Sequence, residues 1–179
     1  MKHLFWLDME MTGLDVSNHR ILETAVIITD WSLSALKHFS SAVFQPAEEL
    51  AKMDEWCVKT HAASGLIKRI PDGLKESALD EALCELVNEF YPKDERVVLC
   101  GNSIGQDRKF IDAYLPKFAS RLHYRMLDVS SFKIVFENKF NQKFKKQNRH
   151  EALGDIEESI AEFRHYLSFI DQSKLEVVP

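Results

Sequence analysis

The first 45 residues contain three segments in which apolar residues run together or alternate with polar ones, as they do in strands. The segments are HLFWLDMEM, RILETAVIITD and ALKHFSSAVFQ, at residues 3–11, 20–30 and 35–45. The turn-rich stretches GLDVSNH and DWSLS separate them. Strand-like segments joined by such short turns are typical of an antiparallel meander, so the pattern predicts one in this region.

The remainder of the chain alternates between helical spacing and short apolar runs. The predicted elements are an irregular helical region, a helix, a buried strand, a second helix, and a short strand followed by a helix, at residues 48–70, 77–91, 96–103, 105–118 and 124–140. The last helix has the clearest apolar stripe, formed by Leu153, Ile156, Ile160, Phe163 and Leu167. A strand meander followed by alternating helices and strands predicts an α/β fold with a mixed sheet.

Composition and charge limit the function classes. The chain has 179 residues, 45% of them apolar, which is enough for one domain with a substantial core over residues 1–179. It carries 23 Lys and Arg against 28 Asp and Glu, a net charge of −5, whereas a protein that grips long nucleic acid usually has a basic stripe. We therefore expect no long nucleic acid as a partner. A polyanionic substrate should be short or held through metal ions.

The sequence also suggests where the protein works. No apolar run is long enough to span a bilayer, and no signal peptide is recognisable at the N-terminus. The three cysteines, Cys57, Cys84 and Cys100, match no zinc-binding pattern and are expected to be reduced. We therefore expect no membrane partner and a cytoplasmic location.

Two acidic residues interrupt the apolar pattern of the first predicted strand. Asp8 and Glu10 are two positions apart, so in a strand their side chains project from the same face. Two adjacent carboxylates repel each other, and one would take up a proton unless a cation neutralised the pair. Hard cations such as Mg²⁺ or Mn²⁺ prefer oxygen ligands. An exposed edge strand with alternating polar residues explains the pair equally well, and the motif alone leaves both interpretations open.

Three later residues occur in contexts that suit the same chemistry. Asp107 falls in the first turn of a helix after the buried strand, a junction where capping residues and functional sites both occur. Asp155 flanks the apolar stripe of the last helix between the small residues Ala152 and Ser159, although an Asp there is more often simply solvated. His150 precedes that helix, at the position from which a general base could take a proton from water.

The segments DMEMTGLD, GNSIGQDRKF, HYRMLDVSS and HEALGDIEES, in this order, resemble the oligoribonuclease family within the DEDDh group of 3′-to-5′ exonucleases. The resemblance also includes MDEWCVKTHAASGL and so extends over nearly the whole chain. It implies a ribonuclease H-like fold, a homodimer, and hydrolysis of very short single-stranded RNA, especially 5′-phosphorylated dinucleotides. It further implies catalysis by two divalent cations, Mg²⁺ or Mn²⁺.

The resemblance assigns roles to individual residues. It implies that Asp8, Glu10, Asp107 and Asp155 hold the metal ions and that His150 is the general base. Among substrate-binding residues, Leu14 would be an apolar wedge between the two bases, and Trp56 and His61 would line the pocket. Ser103, Arg125 and Ser130 would cap the 5′-phosphate, and Tyr124 would reach in from the partner subunit. From the residues alone, Trp56 could equally be a core residue and Arg125 a structural ion-pair partner.

Two other functions are compatible with the same residues. A proofreading-type DNA exonuclease would use the same acids and histidine, so the choice of RNA rests on the segments around Trp56 and Arg125. A nucleotide-binding module without catalysis is the other alternative, and the presence of all five catalytic positions argues against it. Comparing the cleavage rates of ribose and deoxyribose dinucleotides distinguishes an RNA exonuclease from a DNA exonuclease. A metal-dependent cleavage assay tests whether the protein is catalytic at all.

Overall fold

A computed structural model gives the structure of the protein for residues 2–145, 152–171 and 173. In these residues the strands are β1 to β5, at Leu4–Met11, Ile21–Thr29, Ala35–Ala42, Val97–Gly101 and Leu122–Asp128. The helices are α1 to α8, at Ala47–Leu50, Glu55–Ala63, Leu66–Arg69, Glu76–Phe90, Gly105–Tyr114, Pro116–Ala119, Val129–Phe140 and Ala152–Leu167. A 3-10 turn at Ile70–Asp72 follows α3. The expected irregular region at residues 48–70 is thus divided into short helices.

The five strands form one mixed sheet in the order β3-β2-β1-β4-β5. β1 pairs with β2, and β2 with β3, in antiparallel register, which confirms the predicted meander. β4 runs parallel to β1, and β5 runs parallel to β4. The predicted α/β class with a mixed sheet is confirmed. β1 lies at the centre, with a strand on each side and helices on both faces.

The alternation of side chains along β1 divides the core into two layers. Phe5, Leu7, Met9 and Met11 point to a cluster that contains buried residues of α4, α5 and α6. Leu4 and Trp6 point to the opposite cluster, which contains Ile156, Phe163 and other buried residues of α8. Because strand side chains alternate between faces with a period of two, Asp8 and Glu10 continue the face of Leu4 and Trp6. The acidic pair is therefore directed to the layer of α8.

The last helix packs much as its spacing predicted. Its buried residues include Ala152, Ile156, Ile160, Phe163 and Tyr166, whereas Leu153 and Leu167 are only partly buried at the edge of the cluster. All three cysteines are free. No helix in the described part of the chain has the length and apolar character that a membrane span requires.

Candidate active site

Three carboxylates converge where β1 passes under α8. One oxygen from each of Asp8, Glu10 and Asp155 lies within 4.8 Å of the other two, and all three side chains are half-buried. Asp8 and Glu10 reach this point from the same face of β1. Asp155 reaches it from the first turn of α8. Three hard oxygen ligands at this separation can hold a divalent cation.

The local sequence of α8 explains why Asp155 faces the sheet. Ala152 and Ser159 are its neighbours at i−3 and i+4, and both are buried. Their small side chains let this edge of the helix approach β1 closely, which leaves space for the carboxylate between helix and strand. A larger residue at either position would increase the separation of the helix from the sheet. The predicted position of Asp155 beside small neighbours is the one that the structure has.

The electrostatics of Glu10 are strongly perturbed. Burial raises its pKa from 4.5 to about 8, and the charges of Asp155, Glu23 and Asp107 add to the effect. Glu23 lies directly opposite Glu10 on β2, and Arg69 Nη1 donates a hydrogen bond of 2.6 Å to its carboxylate. The mutual repulsion of Glu10 and its acidic neighbours is the condition that a bound cation would relieve. The donor set therefore fits a divalent metal ion.

Asp107 lies beside this group but is not one of the three mutually close carboxylates. It is buried in the first turn of α5, and its Oδ1 accepts a hydrogen bond of 3.0 Å from the backbone N–H of Met9, between the two strand acids. Burial raises its pKa to about 7, against the lowering effect of its backbone hydrogen bonds. It therefore belongs to the same electrostatic environment and is anchored to β1 through the backbone.

A cleft of about 570 Å³ opens next to Glu10. Leu14, Trp56 and His61 are among the residues that line it. Leu14 and Trp56 are 73% and 60% exposed, which rules out the alternative that Trp56 is a core residue. His61 is buried, with Nε2 donating a hydrogen bond of 3.0 Å to the Met11 carbonyl and Nδ1 lying 3.9 Å from Glu10 Oε2. The cleft thus presents two exposed apolar side chains beside the carboxylates.

The loop that carries Leu14 is held from both sides. The ring of His19 packs against Gly13, where a Cβ would lie 2.5 Å from the ring, so any larger residue at this position would displace His19. Gln106 Nε2, from the first turn of α5, donates a hydrogen bond of 2.6 Å to the Leu14 carbonyl. Sequence reasoning did not identify His19 or Gln106. The position of Gln106 directly before Asp107 is the one available signal.

Ser103 and Ser130, which are far apart in the sequence, are in direct contact. The Ser103 N–H donates hydrogen bonds of 2.9 Å to both Ser130 Oγ and the Asp128 carboxylate, and the two hydroxyl oxygens are 3.2 Å apart. Ser103 has φ = 50°, in the left-handed region that non-glycine residues seldom adopt. Asp128 also caps α7 by accepting from the Ser130 N–H. The strained backbone of Ser103 is thus stabilised by the cap of the neighbouring helix.

Tyr124 and Arg125 are exposed on β5, which is an edge strand. The Tyr124 ring stacks on His123 with centroids 4.5 Å apart, and the Arg125 guanidinium lies 5.4 Å from the Tyr124 centroid. Among the described residues, Arg125 makes no hydrogen bond to Ser103 or Ser130, so the structure does not assemble the complete predicted cap. His150, the predicted general base, lies outside the described residues.

Comparisons with known proteins agree in fold and family. A family model described as exonuclease (RNase_T) matches residues 5–163. An oligoribonuclease of Francisella tularensis is 44% identical over 169 residues, which cover 92% of this chain and 93% of that protein. Oligoribonucleases of Vibrio parahaemolyticus and Vibrio cholerae are 44% and 43% identical, with the same coverage.

Solved structures with a similar fold include exonuclease I of Escherichia coli in a zinc-bound complex with single-stranded DNA. The TM-score is 0.70 at 13% identity, covering 90% of this chain and 39% of that one. Exonuclease I of Methylocaldum szegediense gives a TM-score of 0.67 at 16% identity, covering 97% and 42%. This chain therefore spans about two fifths of the length of those proteins, and at these identities the similarity establishes the ribonuclease H-like fold alone.

Proposed function

This chain belongs to the exonuclease family that includes the oligoribonucleases, and from that premise we propose that it hydrolyses very short RNA from the 3′ end, with 5′-phosphorylated dinucleotides as its preferred substrates. The observation that carries this proposal is the convergence of Asp8, Glu10 and Asp155 beside a cleft with two exposed apolar side chains. The family model and the single mixed sheet also support one exonuclease domain over residues 1–179.

The four acids would hold two divalent cations, Mg²⁺ or Mn²⁺. Asp8, Glu10 and Asp155 form the close group, and Asp107 contributes its charge from the first turn of α5. Bound cations would supply Lewis-acid stabilisation of the charge that develops on the scissile phosphodiester. His150 would take the proton of the attacking water, since the ordinary pKa of histidine, about 6.5, suits a general base near neutral pH.

The cleft suits the two bases of a dinucleotide. Leu14 and Trp56 are exposed at its mouth, where one could separate the bases and the other could stack on one of them. Stacking of a base on an aromatic ring contributes about 1–3 kcal/mol in single-strand recognition. His61 is held in the cleft wall by its bond to the Met11 carbonyl. These contacts do not distinguish sequences, because every base has an apolar face.

A cap at the 5′ end would limit the length of the substrate. Ser103 and Ser130 form a pair of adjacent hydroxyl groups, and Arg125 is an exposed cation on the neighbouring strand. Arginine forms charge-assisted hydrogen bonds with a phosphate. We propose that these groups enclose a terminal 5′-phosphate, which leaves no path for a longer chain. The net charge of −5 supports this, because an enzyme for long RNA needs an extended basic track.

We further propose that the protein acts as a homodimer through β5 and α7. β5 is an edge strand whose outer side can pair with another chain. Tyr124 and Met126 of β5, and Ile134 and Val135 of α7, are exposed apolar side chains. Tyr124 would reach the substrate of the partner subunit. The three free thiols are consistent with a reducing compartment such as the cytoplasm.

Time courses with 5′-phosphorylated RNAs of two to ten nucleotides test this function. We expect mononucleotides as products, the fastest rate for the dinucleotide, and complete loss of activity in a chelator. Equal rates for all lengths would contradict the cap. Matched dinucleotides with ribose and deoxyribose should differ in rate in favour of RNA, and a preference for deoxyribose would favour the alternative of a DNA exonuclease.

Substitution of Arg125 tests the cap directly. Arg125→Met keeps the length of the aliphatic side chain but removes the charge, and a charge-assisted hydrogen bond contributes about 1.5–3 kcal/mol. The kcat/KM for the 5′-phosphorylated dinucleotide should fall by about 10- to 100-fold, with little change for the 5′-hydroxyl dinucleotide. An equal loss for both substrates would assign Arg125 to a structural role.

A further inference from the structure

A set of polar side chains connects the serine pair to the helix that carries Asp155. Asn102 Nδ2 donates hydrogen bonds to Ser159 Oγ at 2.8 Å and to Glu162 Oε2 at 3.0 Å. On its other side, Asn102 Oδ1 accepts a hydrogen bond of 3.2 Å from Ser130 Oγ. Ser159 Oγ donates to the backbone carbonyl of Asp155 at 2.8 Å. The amide of Asn102 therefore contacts the start of α7 and the buried side of α8 at once.

The α8 partners of Asn102 lie on one face of that helix. Asp155, Ser159, Glu162 and Tyr166 have the spacing i, i+4, i+7 and i+11, which places them in a single row. Glu162 is fully buried, and Tyr166 donates a hydrogen bond of 2.9 Å to its Oε1. A buried carboxylate is stable only where donors surround it. The Tyr166–Glu162 bond lies within α8, whereas the bonds from Asn102 to Ser159 and Glu162 come from outside it. Because hydrogen bonds are directional and apolar contacts are not, the two bonds from Asn102 limit how far α8 can rotate.

Asn102 is itself fixed to the strand that carries the other acids. It directly follows Gly101, the last residue of β4. A Cβ on Gly101 would lie 2.8 Å from the carbonyl oxygen of Leu7, so this close approach of β4 to β1 requires glycine. Leu7 precedes Asp8 in β1. Asn102 is thus held at a fixed position relative to β1, which carries Asp8 and Glu10. Its hydrogen bonds then set the position of α8, which carries Asp155.

The proton positions follow from the same contacts. The hydroxyl group of Ser130 has one proton, which it donates to Asn102 Oδ1, so its lone pairs face the Ser103 N–H. In the contact between the two hydroxyl groups, Ser103 is then the donor. The amide of Asn102 thus determines the orientation of both hydroxyl groups at the proposed 5′ end.

We propose that Asn102 is a positioning residue for the reaction, acting with Glu162 of α8; the inference rests on the proposed function and deepens it. Asn102 holds α8 so that Asp155 meets Asp8 and Glu10, and it orients the Ser103–Ser130 pair through its second amide atom. The metal end and the 5′ end of the site are thereby connected through one side chain. Neither Asn102 nor Glu162 needs to touch the substrate for this role.

Direct binding of Mn²⁺, measured by calorimetry without RNA, tests the metal side of this role. Asn102→Ala should raise the Kd for Mn²⁺ by about 10-fold, the scale of effect known for residues that orient metal ligands. The preference for a 5′-phosphorylated over a 5′-hydroxyl dinucleotide should fall by about threefold, because one orienting hydrogen bond is lost. Tyr166→Phe is the matched control, since it removes a bond to the other oxygen of Glu162. It should lower the Tm but leave both readouts unchanged.

Two substitutions of Glu162 distinguish a role of its hydrogen bond to Asn102 from a role of its negative charge. They also test the proposal if Asn102→Ala does not fold. Glu162→Gln keeps an oxygen that can accept from Asn102 Nδ2 and should bind Mn²⁺ as the wild type does. Glu162→Ala removes the acceptor and should raise the Kd by about 10-fold. Combined with Asn102→Ala, it should add little, because both changes break the same contact. Equal losses in Glu162→Gln and Glu162→Ala would mean that the charge acts, and would overturn the proposal.

The wild-type protein distinguishes failure of this inference from failure of the proposed function. If the wild type neither binds Mn²⁺ nor cleaves short RNA, the proposed function is wrong and the inference falls with it. If the wild type does both, and folded Asn102→Ala retains the wild-type Kd and 5′-phosphate preference, only the positioning role is overturned. A raised Kd in Asn102→Ala together with an unchanged Kd in Tyr166→Phe supports it.

Discussion

The region around Asp80 and the region at the end of β1 both shield carboxylates from solvent, but they do so in opposite ways. Asp80 of α4 is buried and accepts hydrogen bonds from the backbone N–H groups of Lys117 and Phe118, at 3.0 and 2.8 Å. These are first-turn amides of α6, which begins after Leu115, a residue that cannot cap a helix with its own side chain. Asp80 therefore stabilises the fold by accepting from backbone N–H groups of α6 that would otherwise have no acceptor.

The carboxylates at the end of β1 instead lie close to one another. Glu10 is close to Asp8 and Asp155, and its pKa is raised by burial and by the surrounding acids. Asp107 is intermediate, with a backbone donor like that of Asp80 and a raised pKa like that of Glu10. Burial alone therefore does not distinguish the proposed metal-binding acids from a structural one such as Asp80. What distinguishes Glu10 is its burial next to like charges, an energetic cost that no hydrogen-bond donor among the described residues is seen to offset as the backbone donors do for Asp80.

The same substitution in the two regions should have opposite consequences, and this is the largest effect we expect. Asp8→Ala should abolish RNA hydrolysis, by about 1,000-fold or more, because several kcal/mol of metal-dependent stabilisation are lost. The fold should stay intact, since the change also relieves repulsion. Circular dichroism and the dinucleotide assay measure the two effects separately.

Asp80→Ala is the matched control. It leaves the N–H groups of Lys117 and Phe118 without their acceptor, and because the Phe118 N–H is buried the cost is about 1–3 kcal/mol. The Tm should fall by roughly 2–12 °C, with kcat unchanged at a temperature where the variant is folded. If folded Asp8→Ala hydrolysed RNA at a near-normal rate, Asp8 would not be part of the catalytic site. The acids at the end of β1 would then not differ in role from Asp80.

Asp107→Asn tests the intermediate case. The amide oxygen can still accept from the Met9 N–H, so the Tm should be unchanged or higher. Loss of the negative charge should weaken Mn²⁺ binding and lower kcat/KM by about 10- to 100-fold, the range seen when groups that support a metal site are changed. Calorimetry and the dinucleotide assay measure these quantities. A fall in Tm without loss of Mn²⁺ affinity would group Asp107 with Asp80.

The smallest expected effect is a dependence of stability on pH in the metal-free protein. The pKa of Glu10 is 4.5 in its ordinary state and about 8 in the fold, so between these values the folded state binds more protons than the unfolded chain. Stability must therefore decrease as the pH rises through this range. The Tm in chelator should fall by several degrees between about pH 5 and pH 8.

Mn²⁺ and Glu10→Gln should both remove much of this slope, for different reasons. The cation offsets the charge that appears at high pH, so it should stabilise the wild type more at pH 8 than at pH 5. Glu10→Gln has no charge to develop, so its Tm in chelator should vary less with pH. Differential scanning fluorimetry across this pH range provides the comparison. Parallel curves for wild type and Glu10→Gln would show that Glu10 does not titrate as described.

Much of the fold could be predicted from local patterns in the sequence, because these patterns do not depend on tertiary contacts. The three-strand meander and the α8 stripe follow from periods of 2 and about 3.6 residues, which arise from backbone geometry. The same period placed Asp8 and Glu10 on one face, and the small neighbours Ala152 and Ser159 indicated room for the side chain of Asp155. The irregular helices between α1 and the 3-10 turn were located only roughly, because such short elements have too few positions to establish a period.

The sheet type, the family resemblance and the candidate acids could thus be predicted from the sequence, since each depends on residues close together or on an ordered set of motifs. The contacts between segments far apart in the chain could be identified only in the folded structure. It brought Ser103 to Ser130, put Trp56 at the surface, and connected Asn102 to Glu162. The physical reason is that such contacts depend on the packing of helices against the sheet, where a small rotation changes every partner. No local period in the sequence records that rotation.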